Sequence, residues 1–200
     1  MNLTPLGIDG AWLCEPPIFP DDRGVFVEWL RSDQLAEATG RRFDVVQGNH
    51  SISRRGTVRG VHFADVPPGQ AKFVHCLRGA VLDVVVDIRT GSPSYGAYRS
   101  TVLDDVDRRG LFIAEGLGHA FCALTDDASV TYLLSATYAP EREHGIDPLD
   151  PELALPWPDD LDLLLSPRDA AAPRLAAAAA AELLPSYDAC LAHYRTQSAR

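Results

Sequence analysis

The chain has 200 residues, 46% of them hydrophobic, with 15 glycines and 15 prolines, so we expect one domain spanning residues 1–200 with a substantial core and many turns. The formal net charge of -10 argues against nucleic acids and anionic membrane surfaces as partners, because both would repel the average surface of the protein.

The first predicted element is a short helix over residues 33–39, which begins with a carboxylate and stops at Gly40. From about residue 25 to residue 140, short segments rich in Val, Ile, Tyr and Phe alternate with turn residues, a pattern typical of β-strands. Residues 82–88 carry apolar side chains on one face, which predicts a strand packed mainly on one side. Further strands are predicted at residues 98–103, 110–113, 119–124 and 129–135.

These strands recur without intervening helices, which is typical of sandwiches and barrels. We predict a mainly β fold, a cupin-type jelly-roll β-barrel with its core at about residues 25–140 and short flanking helices. Five prolines between residues 148 and 167 forbid long regular elements, so residues 145–200 should wrap over the barrel. The alanine-rich run 174–184 favours a C-terminal helix that ends before Pro185.

Residues 1–12 lack the pattern of a signal peptide, and no later apolar run is long enough to cross a membrane. We therefore expect a soluble, cytoplasmic protein. The cysteines show no C-x-x-C spacing, and most lie in apolar runs, so we expect reduced and buried thiols at Cys14, Cys76, Cys122 and Cys190.

Histidines raise the question of a metal, because many barrels of this kind bind one through several histidines and a carboxylate. No two of the six histidines are separated by a single residue, as a His-x-His clamp requires, and Asp65 lies at the wrong offset from His62. We therefore expect no metal site. The histidines are better suited to proton transfer or hydrogen bonding.

Three residues form a minimal set for proton transfer at carbon. His62 is a base, Lys72 a cation and Tyr132 a phenol, and a β-sheet could bring them together. Such a set can take a proton from a carbon beside a carbonyl group and return it to the opposite face. We interpret the chain on this basis as a sugar epimerase.

Seven segments of the chain resemble motifs of the dTDP-4-dehydrorhamnose 3,5-epimerase family. They occur in the family's order between residues 19 and 169, which is more specific than any single motif. Within the family, residues 67–72 and 148–153 most resemble the 3- and 5-epimerases of antibiotic deoxysugar pathways. The seven segments are 19–28, 47–53, 58–63, 70–74, 83–93, 118–121 and 166–169.

The resemblance implies a dTDP-linked 4-keto-6-deoxyhexose as substrate and no cofactor. His62 would remove the proton beside the C4 ketone, and Asp169 would orient His62 and stabilise its charged form. Lys72 would stabilise charge on the ketone oxygen, and Tyr132 would donate a proton on the far face of the sugar.

The resemblance also implies which residues bind the substrate. Arg23, Arg59 and Arg168 would contact phosphate or sugar, since guanidinium groups suit phosphate oxygens, and Tyr138 would stack on thymine. Lys72 would bind substrate as well as act in catalysis. Polar contacts to base or sugar are implied for Glu28, Gln47, Asn49, His119 and Glu143. Family members are typically homodimers, so a homodimer is expected here.

The chain departs from the family's motifs at two places. Residues 114–121 read Ala-Glu-Gly-Leu-Gly-His-Ala-Phe instead of Pro-x-Gly-Phe-Ala-His-Gly-Phe, and Ala64 replaces a frequent glutamine. The choice among inversion at C3, at C5 or at both therefore stays open. Three other functions are also open: a ketoisomerase on the same barrel, a metal-dependent cupin enzyme, and a non-catalytic nucleotide-sugar binder.

Overall fold

The computed structural model describes residues 1–198, within which the chain forms thirteen strands and four short helices. The strands are β1 (Asn2–Pro5), β2 (Ala11–Glu15), β3 (Ile18–Asp21), β4 (Gly24–Val27), β5 (Gln47–Ser53), β6 (Val58–Ala64), β7 (Lys72–Arg78), β8 (Ala80–Val86), β9 (Tyr98–Asp104), β10 (Gly110–Ile113), β11 (Gly118–Ala123), β12 (Ala128–Leu134) and β13 (Glu143–Gly145). The helices are α1 (Ser32–Thr39), α2 (Pro167–Ala170), α3 (Leu175–Ala180) and α4 (Tyr187–Thr196).

Two antiparallel sheets form the body of the protein. One has the strand order β1-β2-β10-β7-β12-β5, and the other has the order β13-β6-β11-β8-β9. Strands β3 and β4 form a separate hairpin. This arrangement confirms the predicted mainly β, cupin-type barrel with short helices and a C-terminal helix. All four cysteines are buried free thiols, as the sequence predicts.

The prediction that residues 82–88 pack mainly on one side is wrong, because both faces of this part of the second sheet are buried. Val85 belongs to the core cluster shared with the first sheet. Val84 and Val86 pack on the opposite side, in a cluster with Ile146 and Leu153 of the C-terminal wrap. The wrap therefore covers the apolar face of Val84 and Val86, and the face of Asp83, Val85 and Asp87, which the alternation assigned to solvent, lies buried toward the first sheet.

Two of the helices bear directly on the predictions. Helix α1 ends where expected, with Gly40 in the left-handed conformation at a φ of 70° and its N–H bonded to the carbonyl of Ala36. The predicted helix over residues 174–184 is only α3 (Leu175–Ala180), because the chain turns at Glu182, which has a φ of 55°. None of the helices within residues 1–198 is long and apolar enough to span a membrane.

The sequence analysis did not predict α4, which begins after the N-cap residue Ser186. This helix is held by a buried polar network. The Tyr194 hydroxyl donates to the carbonyl of Glu115 at 2.6 Å and accepts from Arg89 Nη1 at 3.2 Å. Arg89 is itself fully buried and donates through Nε and Nη2 to the two carboxylate oxygens of Asp87, at 2.8 and 2.9 Å. The ion pair thus connects the second sheet to the C-terminal helix.

We predict that Asp87→Ala lowers the free energy of unfolding by about 3–5 kcal/mol, because it leaves a buried guanidinium without its carboxylate. Denaturant unfolding followed by circular dichroism measures this. Asp33→Ala is the matched control, since it removes the partner of an exposed arginine, Arg31, and should change stability little. An equal decrease in the free energy of unfolding in the two variants would show that burial does not increase the contribution of the Asp87–Arg89 pair to stability.

Candidate active site

A cavity of about 260 Å³ lies between the two sheets. Seven of the residues singled out by the sequence analysis line it, and the structure adds Phe121 and Ser166, which that analysis did not select. The predicted residues at the cavity are Arg59, His62, Lys72, His119, Tyr132, Arg168 and Asp169.

His62 projects from β6 and meets a carboxylate from the C-terminal wrap. Its Nε2 lies 2.7 Å from Oδ1 of Asp169, which is buried on the short helix α2. Ser166 caps that helix by accepting a hydrogen bond from the Asp169 N–H at 3.0 Å. Burial would raise the pKa of Asp169, but its hydrogen bonds with His62 and Ser166 outweigh burial and lower it. An ionised Asp169 can only accept, so His62 Nε2 carries the proton and Nδ1 keeps its lone pair.

A second histidine–aspartate pair lies beside the first. His119 on β11 is the cross-strand partner of His62, and its Nε2 lies 2.9 and 3.0 Å from the carboxylate oxygens of Asp83. Asp83 is fully buried on β8. The sequence analysis missed Asp83 as a site residue. The available signal was its position in an apolar strand, where a buried carboxylate needs a partner.

A glycine allows the two histidine strands to approach closely. Gly60 on β6 has a φ of 118°, and a Cβ atom there would lie 2.5 Å from the carbonyl oxygen of His119. The β6–β11 register also shifts between His119 and Phe121. A side chain at residue 60 would therefore push apart the strands that bring His62 and His119 together.

Lys72 reaches the cavity from the first sheet, and it is the only lysine in the chain. Burial lowers its pKa to about 8, although the carboxylates of Glu143 and Asp83 act in the opposite direction. The structure shows no hydrogen bond or ion pair from its ammonium group to any residue within 1–198. The charge is therefore held in the cavity without a protein partner.

Tyr132 lies beside Lys72 on the same sheet. On β12 it pairs with Val74 of β7, and Lys72 pairs with Leu134, so the two side chains are diagonal neighbours. His62 faces them from the second sheet. The structure thus places an imidazole and a phenol in one cavity, on opposite sheets, with an ammonium group next to the phenol.

A second cavity, of about 350 Å³, adjoins this part of the molecule. Glu143 and Gln70 line it, as does Ala64, which follows His62 on the same face of β6. The carbonyl of Glu143 accepts a hydrogen bond from Arg168 Nη2 at 2.8 Å, and Arg168 lines the first cavity. Glu143 therefore connects the two cavities.

Gln47, Asn49 and Tyr138 cluster near the second cavity. Gln47 Oε1 accepts from the N–H of Tyr138 at 2.8 Å, and its Nε2 donates to Asn49 Oδ1 at 2.9 Å. Tyr138 is 53% exposed, so its ring is open to a ligand. Asn49 is the cross-strand partner of Tyr132, so this cluster lies next to the strand that lines the first cavity.

The structure does not bring Arg23 and Glu28 to either cavity of the same chain. Arg23 lies in the turn of the β3–β4 hairpin, where it pairs with Asp21 and its side chain is 89% exposed. Glu28 follows the hairpin and lies 3.6 Å from Arg31. The hairpin pairs with neither main sheet, so it carries both residues away from the cavities.

The fold and the site together define a class: a cupin-type barrel with acid–base side chains on opposite walls of one cavity. Comparison with known proteins narrows this class. The family model for dTDP-4-dehydrorhamnose 3,5-epimerase matches residues 5–177. The chain therefore belongs to the dTDP-4-dehydrorhamnose 3,5-epimerase family. It is an epimerase acting on dTDP-4-keto-6-deoxyhexoses, which confirms the family and activity expected from the sequence.

Individual relatives agree with this assignment. A dTDP-4-dehydrorhamnose 3-epimerase of Streptomyces niveus is 56% identical over 96% of this chain and 92% of the relative. A 3,5-epimerase of Mycolicibacterium smegmatis is 53% identical over 98% of this chain and 96% of the relative. Among solved structures, the 3'-monoepimerase ChmJ of Streptomyces bikiniensis in complex with dTDP-quinovose has a TM-score of 0.94 and 48% identity, covering 96% of this chain and 98% of that one.

We predict that the Lys72 amine titrates near pH 8 and that Glu143→Gln lowers this midpoint, because the variant loses a carboxylate that favours the charged form. Protein labelled with ¹³C-lysine gives the signal of one side chain, since the chain has one lysine. The exposed neighbour Glu141 provides the control, and Glu141→Gln should leave the midpoint unchanged. A wild-type midpoint near 10.5 would mean that the amine is hydrated.

Proposed function

We propose that the protein inverts C3, alone or together with C5, of a dTDP-4-keto-6-deoxyhexose in deoxysugar biosynthesis. The reaction proceeds through an enolate and needs no cofactor. The observation that carries the proposal is the placement of His62 and Tyr132 on opposite sheets of one cavity, with Lys72 beside the tyrosine.

His62 acts as the general base. Because Nε2–H is bonded to Asp169, Nδ1 has the lone pair that takes the proton from the carbon next to the ketone. The imidazolium formed is stabilised by the Asp169 carboxylate, which also prevents the ring from adopting the wrong tautomer. Asp169 therefore serves as a positioning residue that acts through His62.

Lys72 stabilises the negative charge that develops on the ketone oxygen. An ammonium group aimed into a cavity with few competing contacts typically contributes about 2–4 kcal/mol to the stability of such a transition state. A pKa of about 8 keeps most of the amine charged at neutral pH. Activity should therefore decline as the pH rises above 8.

Tyr132 completes the inversion by donating its hydroxyl proton to the enolate. The proton must arrive on the face opposite the one from which His62 removed the first. Since the two side chains come from opposite sheets, a hexose between them has one reactive face toward each. Without Tyr132, reprotonation by His62 would restore the original configuration.

The remaining polar residues hold the substrate. Arg59 and Arg168 have no carboxylate within 4.0 Å among residues 1–198, so their guanidinium groups are available to the diphosphate. His119, fixed by Asp83, presents its second ring nitrogen to the sugar. The first cavity has room for one hexose, and the nucleoside occupies the second cavity with its base on Tyr138. The dTDP-quinovose complex of the Streptomyces bikiniensis relative supports this class of ligand.

A homodimer is part of the proposal. The β3–β4 hairpin exposes several apolar residues, among them Phe26, which is 68% exposed. An exposed apolar hairpin of this kind indicates a protein contact surface. Arg23 and Glu28 lie at this hairpin and reach no cavity of their own chain, so we place them at the nucleotide of a second copy.

We predict that His62→Ala reduces deuterium incorporation at C3 and C5 from heavy water about a hundredfold or more, because the base is lost. Tyr132→Phe should retain exchange at carbon but lose inversion. Proton NMR of dTDP-4-keto-6-deoxyglucose incubated with each variant measures both events. Deuterium at C3 alone identifies a 3-epimerase, and a carbonyl displaced from C4 identifies a ketoisomerase.

The matched control is His144→Ala. His144 also pairs with a carboxylate, Asp65, at 2.7 Å, but it does not line the cavity, so exchange should stay at the wild-type rate. Unchanged exchange in His62→Ala would remove the assigned base. Inversion at the wild-type rate in Tyr132→Phe would show that another group supplies the second proton.

We predict that Phe26→Asp converts a dimer to a monomer and raises KM, because Arg23 can no longer reach a second chain. Sedimentation velocity gives the assembly state, and initial rates give KM. Val106→Asp is the control, since Val106 is 75% exposed but lies outside the hairpin. A wild-type protein that sediments as a monomer while fully active would disprove the proposed assembly.

A further inference from the structure

The chain has two amines, the Lys72 side chain and the N-terminus. The N-terminal ammonium of Met1 donates to Gln34 Oε1 at 2.8 Å, and Met1 lines neither cavity. Lys72 has no such partner within residues 1–198, and it opens into the cavity. An amine without a partner, facing a cavity that opens to solvent, is positioned to react with a ligand bound there.

The environment of Lys72 also favours its nucleophilic form. Only the neutral amine has a lone pair, and burial lowers the pKa of Lys72 to about 8. At pH 7.5 about a quarter of such an amine is neutral, compared with about one part in a thousand for a lysine of pKa 10.5. This is an increase of about two hundredfold in the reactive species.

The surroundings select the kind of electrophile. Arg59 and Arg168 line the same cavity without carboxylate partners among the described residues, and Phe121 contributes an apolar wall. Guanidinium groups bind phosphate through paired N–H donors. A volume of about 260 Å³ admits a single small ring with a phosphate group.

We propose that Lys72 is a carbonyl-modification site, at which small aldehydes bearing a phosphate ester bind reversibly as imines and inhibit the enzyme. The neutral Nζ attacks the carbonyl carbon, and the C=O bond opens to a carbinolamine. Loss of water then forms the C=N bond, with the two amine protons and the carbonyl oxygen leaving as that water. The addition of water reverses the reaction, and no oxidant or reductant takes part.

The two parts of this inference depend on different residues. Imine formation requires only the position and chemistry of Lys72, and it does not require the epimerase reaction. The preference for phosphate rests on the proposed function, since it uses the arginines assigned there to the diphosphate. His62→Ala separates the two, because an inactive variant with an intact Lys72 should still be labelled.

Pyridoxal 5′-phosphate is the test probe, and pyridoxal, which lacks the phosphate, is its matched control. Each is incubated with the protein at pH 7.5, the imine is reduced with borohydride, and labelled peptides are identified by mass spectrometry. The two amines have similar neutral fractions at this pH, so the arginines beside Lys72 must supply the selectivity. We expect pyridoxal 5′-phosphate to label Lys72 about tenfold more than the N-terminus, in parallel with the loss of activity. Lys72→Arg should lose this label and keep the one on Met1.

Arg168→Gln tests the phosphate contact. It should reduce labelling by pyridoxal 5′-phosphate to the level of pyridoxal and leave pyridoxal labelling unchanged. Equal labelling by both probes in the wild-type protein would overturn the phosphate preference. Labelling confined to the N-terminus, or unchanged activity after complete labelling of Lys72, would overturn the modification site.

Discussion

The hydrogen bond between His62 and Asp169 is the contact on which the rest of the site depends. It joins residues 107 positions apart in the chain, one on a barrel strand and one on the C-terminal wrap. The helix that carries Asp169 has four residues and could not form alone. It is held by its Ser166 cap and by Arg168, which bonds to the strand next to β6. The wrap is therefore part of the proposed active site as well as a cover for the second sheet.

The barrel contains two kinds of buried charge. Asp87 and Arg89 share two hydrogen bonds, Ser92 and Ser94 donate to the same carboxylate, and Tyr194 accepts from the guanidinium. That pair has no remaining capacity to bind a ligand, so it serves the fold. Lys72 is different, because its charge is partly desolvated and has no direct partner in residues 1–198. A buried charge without a partner raises the free energy of the folded protein. Negative charge that develops beside the ammonium group lowers it again.

Much of this could be predicted from local sequence patterns. Glycine at the end of α1 and the alternation along the strands indicated those elements because both signals are local. Motif resemblance selected seven of the cavity residues. Asp83 was missed because its role depends on His119, which lies 36 residues away and meets it only through strand pairing. The burial of the second face of β8 was missed for a similar reason, since Val85 is covered by residues of the first sheet that are distant in sequence.

The charge distribution explains how a protein with a net charge of -10 can bind a doubly charged diphosphate. Several arginines form ion pairs with carboxylates, as Arg23, Arg31 and Arg55 do with aspartates, and these pairs have no net charge. Arg59, Arg168 and Lys72 have no carboxylate within 4.0 Å among residues 1–198, and all three line the same cavity. A low-dielectric cleft concentrates the field of its charges, so these three cations can attract a diphosphate although the average surface is acidic and Asp83 and Asp169 lie nearby.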